Sequence, residues 1–175
     1  MSSATQALAA ELDAEFPITR RVLDRVPTDK LSWQPHAKSM TLGQLAQHLA
    51  LIPGNMSRLS QQDGIDMATR KIEYVPGEST TAILATFDAS VATAKASVRE
   101  LDEAQTHATW RMTFGEREIF AIPRIAMLRT MLLHHMIHHR GELVVYLRLL
   151  DVPVPVVYGR SADENPFAMP AAINA

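Results

Sequence analysis

Three observations predict an all-α domain built as an antiparallel four-helix bundle. Apolar residues recur at steps of three and four along four long stretches of the chain. Clusters of proline, glycine and polar residues separate those stretches. Charged residues fall mostly opposite the apolar stripes, so each helix has one side to bury. The 175 residues fit a single domain, 1–175, large enough for a real core. An irregular or short hairpin segment is expected before the last helix, and an extended tail after it.

The first helix is expected over residues 3 to 26. Leu8, Leu12, Phe16, Thr19, Leu23 and Val26 share one face. Pro17 lacks a backbone donor and should kink or split this helix. Residues 31 to 40 read as a connector, with Trp33 and Pro35 in a packed loop and His36 a loop histidine in water or bonded to backbone. Thr41 with Gln44 forms a capping box that opens the second helix. Its seam is Leu42, Leu45, Leu49, Ile52, Met56 and Leu59, with a bend expected at Pro53-Gly54. His48 lies between Leu45 and Ile52 and faces inward. A lone inward histidine is ordinarily a core residue with a hydrogen-bond partner; it becomes a ligand only if others face it.

Residues 60 to 78 form a long polar connection that lines a pocket or crosses the bundle end. The third helix is expected from Ser79 to Ala104, with Leu84, Phe87, Val91, Ala94, Val98 and Leu101 as its seam. Lys95, Arg99, Glu100 and Asp102 make a solvated face. Residues 105 to 121 do not read as helix. Trp110, Met112 and Phe114 alternate, Gly115-Glu116 can turn, and Ile119-Phe120 can return, as in a hairpin or flap. His107 reads as a loop residue. Pro123 suits the first turn of a fourth helix that ends near Leu150. The prolines after Asp151 force an extended path along the bundle or across a partner subunit.

Composition excludes several functions. Hydrophobic residues are 47%, charged residues 21%, and the formal net charge is −2. No basic run points to nucleic acid. No apolar stretch nears the ~20 residues of a membrane span, and the N-terminus lacks a signal-peptide pattern, so a cytoplasmic location is expected. The absence of cysteine excludes disulfides, thiolate ligands and a cysteine nucleophile. Any thiol chemistry must use a thiol brought by the substrate.

The chemistry concentrates in MLLHHMIHHRGEL, residues 131 to 143, which holds four of the seven histidines. His134 pairs with His138, and His135 with His139, each at the i, i+4 spacing that sets two imidazoles on one helix face. The apolar seam Leu128, Leu132, Tyr146 and Leu149 runs through His135, His139 and Glu142. Ionisable groups in core positions need a partner, and either a metal ion or a hydrogen-bonded network around water supplies one. The stripe through His134 and His138 is less apolar and contains Gly141, so periodicity favours His135 and His139 as the inward pair. Two histidines from the fourth helix and His48 from the second make a three-nitrogen site open to water, suited to zinc, nickel, copper or iron. Glu142 can ligate, act as general base, orient a histidine, or simply end the cavity. The His138–Glu142 spacing also fits a di-iron bundle, but helices one and three offer no inward Glu-x-x-His to complete one.

The stretches WQPHAKSMTLGQLAQHLA (33–50), LLHHMIHHRGEL (132–143) and LRLLDVPVPVVYGRSADE (147–164) resemble the DinB/YfiT-like metalloenzyme family. The resemblance implies a four-helix bundle with a three-histidine metal site. The matching positions here are His48, His135 and His139. It implies nickel or zinc as the divalent metal ion, and a homodimer. Some relatives are S-transferases or isomerases that use low-molecular-weight thiols such as bacillithiol or mycothiol. The expected function is therefore a divalent-metal-dependent enzyme, a hydrolase or thiol S-transferase, acting on a small-molecule substrate. The alternative is a non-catalytic stress-related bundle that binds metal or a small ligand. Glu142 stands where the family commonly has glutamine, and a carboxylate there can add charge or serve as a base.

Overall fold

A computed structural model describes residues 3–167. Four long helical stretches dominate it: α1 (Ser3–Leu23), α2 (Leu42–Ser60), α3 (Thr80–Glu100), and a last stretch made of α5 (Arg124–Leu128), a π-helical turn (Arg129–His134) and α6 (His135–Leu149). A short helix, α4 (Glu103–His107), follows α3. Helix α3 packs on α1 and α2, and α6 packs on α2 and α1, around one apolar core.

The all-α expectation needs correction. A three-stranded sheet stands at one end, in the order β1 (Gly64–Asp66), β2 (Thr109–Phe114), β3 (Arg117–Pro123). The expected hairpin is β2–β3, antiparallel, with Gly115 at φ +60° in its turn. Strand β1 pairs parallel with β2 and was not expected: three residues are too few to show a period in sequence. Trp110 ties the sheet to the helices. It is fully buried, and its Nε1 donates to the carbonyl of Leu59 at 3.2 Å. Arg124, buried at the start of α5, donates to the carbonyls of Ser60, Gln62 and Gln105 and pairs with Asp63 at 2.9 Å. It thereby satisfies carbonyls left free at the end of α2.

Several boundaries move. Helix α1 runs through Pro17 unbroken, and its six predicted seam residues are all buried. Helix α3 stops at Glu100 because Asp102 starts α4 with its own capping box to Gln105, so His107 is helical and bonds Glu103. Helix α2 opens at the expected Thr41–Gln44 box and continues across Pro53. There the Gly54 N–H donates to Ser90 Oγ at 2.7 Å, and that hydroxyl donates to the Leu51 carbonyl. A Cβ on Gly54 would lie 2.9 Å from Ser90 Oγ, so this glycine is what lets α3 approach.

The seam of the last helix also shifts. Its innermost stripe runs through Leu128, Leu132, Met136, Arg140, Leu143 and Leu147, one position later than predicted from residue 135 onward, with His139 buried beside it and Leu149 exposed. The π turn explains the shift, because its wider winding takes up an extra residue just before His135. After Asp151 the tail is extended, as its prolines require, and Val154 is buried. The part of the predicted tail at 168–175 lies outside the described residues. Among the described residues, no helix is long and apolar enough to cross a membrane.

Candidate metal centre

The shifted seam leaves His135 and His139 on the flank of α6 that faces α2. His139 is buried, and His135 and His48 are half-buried. The Nε2 atoms of His48 and His135 are 3.3 Å apart, and those of His135 and His139 are 2.9 Å apart. One ligand atom from each of the three histidines lies within 4.8 Å of the others, so the three predicted residues do come together. His134 and His138 point away and are exposed, and His36 is exposed and accepts only from the Lys38 N–H.

What surrounds the rings fixes their tautomers. His139 Nδ1 lies 2.6 Å from Glu142 Oε2, and His135 Nδ1 lies 3.3 Å from the Met131 carbonyl oxygen. A carboxylate and a carbonyl only accept, so both Nδ1 atoms carry the hydrogen. When both rings are neutral, their Nε2 atoms face each other as acceptors across 2.9 Å. Burial first, then repulsion from His139 and His135, pushes the His48 pKa down to about 4 against a weaker pull from Glu142. Burial likewise lowers His135, again with repulsion from His139. The three imidazoles thus bring their nitrogens close enough together for one cation to bridge them.

The donor set fits such a cation. Two nitrogens bound at about 2.0–2.1 Å to one ion lie roughly 2.9–3.3 Å apart for angles between square and tetrahedral. The two Nε2 separations fall in that interval. The centre has only protein nitrogens on α2 and α6, which leaves coordination positions for water or substrate.

Two residues near the centre were not anticipated. Tyr74 stacks edge-on to His48 with ring centroids 5.3 Å apart, held there by Gln44 Nε2, which donates to the Tyr74 carbonyl. Nothing in the polar connection announces this. Arg140, next to His139, is 1% exposed. It pairs with Glu15 at 2.6 Å, donates to Thr19 Oγ1 at 3.1 Å, and bonds the Tyr158 hydroxyl from the tail. A sequence signal existed here: Arg140 interrupts the apolar stripe Met136, Leu143, Leu147.

Fold and site thus define a mostly helical domain with a small sheet and a three-histidine cluster able to hold one divalent ion. The model of the DinB family matches residues 1–166, and the chain belongs to that family. Among solved structures it is similar to a DinB-like protein of Bacillus subtilis, at 17% identity and TM-score 0.66, over 88% of this chain and 99% of that one. It is similar also to a DinB-like protein of Bacillus cereus, at 22% identity and TM-score 0.64, over 83% and 92%. These likenesses concern the fold. No curated protein matches the chain.

Proposed function

We propose that this chain is a metal-dependent enzyme whose centre, His48, His135 and His139, binds one divalent ion and activates a small thiol. The observation that carries the metal reading is the close approach of the three rings, with the His135 Nε2 2.9 Å from that of His139 and 3.3 Å from that of His48. The thiol part rests on the family resemblance and on the lack of any cysteine in the chain. Nickel and zinc are the ions proposed, since imidazole suits both.

A divalent ion bound here would supply a Lewis acid that lowers the pKa of a thiol or water. The rest of the chemistry belongs to the protein. His48 and His135 present unprotonated nitrogens at pH 7, burial lowering both pKa values, and His139 lies beside them on α6. Glu142 orients His139 through the 2.6 Å bond; in this reading it is a positioning residue. Its other oxygen lies beside His138 on the outer face, and the proton that the thiol loses passes to solvent. Tyr74 walls one side of His48 and narrows access to small substrates. The sulfur then attacks the electrophilic carbon of the second substrate, forming a C–S bond as the leaving group departs with its electron pair.

Metal analysis of the purified, tag-free protein tests the centre. About one ion per chain is expected, lost in His135→Ala with the fold retained by circular dichroism. A folded wild-type protein that takes up no divalent ion would sink the proposal. Thiol consumption, followed with bacillithiol, mycothiol or glutathione against a panel of electrophiles, tests the reaction. A metal-loaded protein inert across that panel would support the non-catalytic alternative instead.

A further inference from the structure

The inner cluster leaves the outer histidines of residues 131 to 143 unused. His138 is exposed on α6, and its Nε2 lies 3.3 Å from Glu142 Oε1. His138 and Glu142, four residues apart on one face, belong with His139 to a group whose ligand atoms lie within 4.8 Å of one another. Glu142 faces both ways: Oε2 holds the buried His139, and Oε1 is left for the surface. A ligand nitrogen and a carboxylate oxygen on one ion, each at about 2.0–2.2 Å, sit roughly 3 Å apart, which is the spacing seen here.

We propose that His138 and Glu142 form a second, solvent-facing divalent-metal site that shares Glu142 with the inner cluster. The two sites differ in kind. The inner one is walled by two helices and Tyr74, whereas the outer one is built on a single helix, open to water, with exposed side chains that must be ordered on binding. Ordering those side chains costs conformational entropy, so the outer site is the weaker and faster-exchanging one. It suits borderline ions that accept imidazole with carboxylate, zinc and nickel among them, and copper most tightly. The shared carboxylate places an ion captured at the surface next to the ring of His139. This site rests on the function proposed above only in that shared use of Glu142.

The test is calorimetric titration of the tag-free, metal-stripped protein with Zn²⁺ and, separately, Ni²⁺. Two equivalents per chain are expected, the second at least about tenfold weaker than the first. The double variant His134→Ala/His138→Ala is expected to lose the second equivalent and keep the first; both positions are exposed, so the fold should survive. His48→Ala is expected to weaken the first equivalent and keep the second. A single wild-type equivalent that the double variant retains overturns the proposal, as does a second equivalent that survives in the double variant. If the wild type shows only a weak equivalent that the double variant loses, the inner-site reading fails and the outer site stands.

Discussion

His48 carries the clearest electrostatic signature in the molecule. Its folded-state pKa, about 4, lies below the ordinary 6.5. Between those values the unfolded chain binds more protons than the folded one, so stability rises with pH across that interval. The contribution is complete above about pH 6.5 and is lost as pH falls toward 4. Melting curves of the metal-free protein should therefore fall from pH 7 to pH 4.5. His48→Gln should flatten that dependence; an unchanged slope would show that His48 does not titrate as its surroundings imply. Glu142 works through His139. Its replacement by alanine removes the acceptor for Nδ1–H and should weaken metal affinity by about 10–100-fold. Glu142→Gln keeps an amide oxygen in that place and should retain most of the affinity. Equal losses in both variants would show that charge, not orientation, is what Glu142 contributes.

At the scale of elements, α6 presents two faces with different work. One flank carries the histidines toward α2, and the next stripe puts Arg140 under α1. That guanidinium is enclosed by Glu15, Thr19 and Tyr158. Arg140→Ala would leave the largely buried Glu15 without its counter-charge and with only the Tyr158 hydroxyl beside it, a loss of about 3–5 kcal/mol in denaturant titrations. The Glu15→Ala/Arg140→Ala pair should recover part of it, since no lone charge remains; additive losses would refute the pairing. The α2–α3 contact has its own weak point. Gly54→Ala would press a methyl against Ser90 and should cost about 1–3 kcal/mol. The surface pairs matter less: Arg20 with Asp88 joins α1 to α3 through two bonds, but both side chains are about half exposed.

Over the whole molecule, the histidines tie α2 to α6, and the tail ties α6 to α1. Glu164 meets Arg21 and Arg25, Asp163 meets Arg148, and Tyr158 covers Arg140. Because the proposed ligands sit on separate helices, binding favours the folded state by mass action. An ion at 100 times its Kd should add about 2.7 kcal/mol of stability. The melting temperature should rise with Zn²⁺ or Ni²⁺, fall with chelator, and respond much less in His48→Ala, which leaves both remaining histidines on one helix. An equal rise in that variant would show that the ion does not bridge α2 and α6.

The sequence by itself determined the four long helical stretches, the Thr41 cap, the hairpin and the extended tail. Those features are local, set by apolar period, capping chemistry and proline geometry within a few residues. Periodicity favoured His135 and His139 over His134 and His138 as the inward pair, and the family resemblance pointed to the same two residues. Tertiary structure decided the rest. The π turn moved the buried stripe by one residue and put Arg140, unremarked in the sequence reading, into the core. Parallel pairing made a strand of Gly64–Asp66, and a loop contact set Tyr74 against His48. The meeting of His48 with the α6 histidines, across 87 residues of chain, is a matter of packing: periodicity shows which way a side chain faces, and only the assembled core shows what it faces.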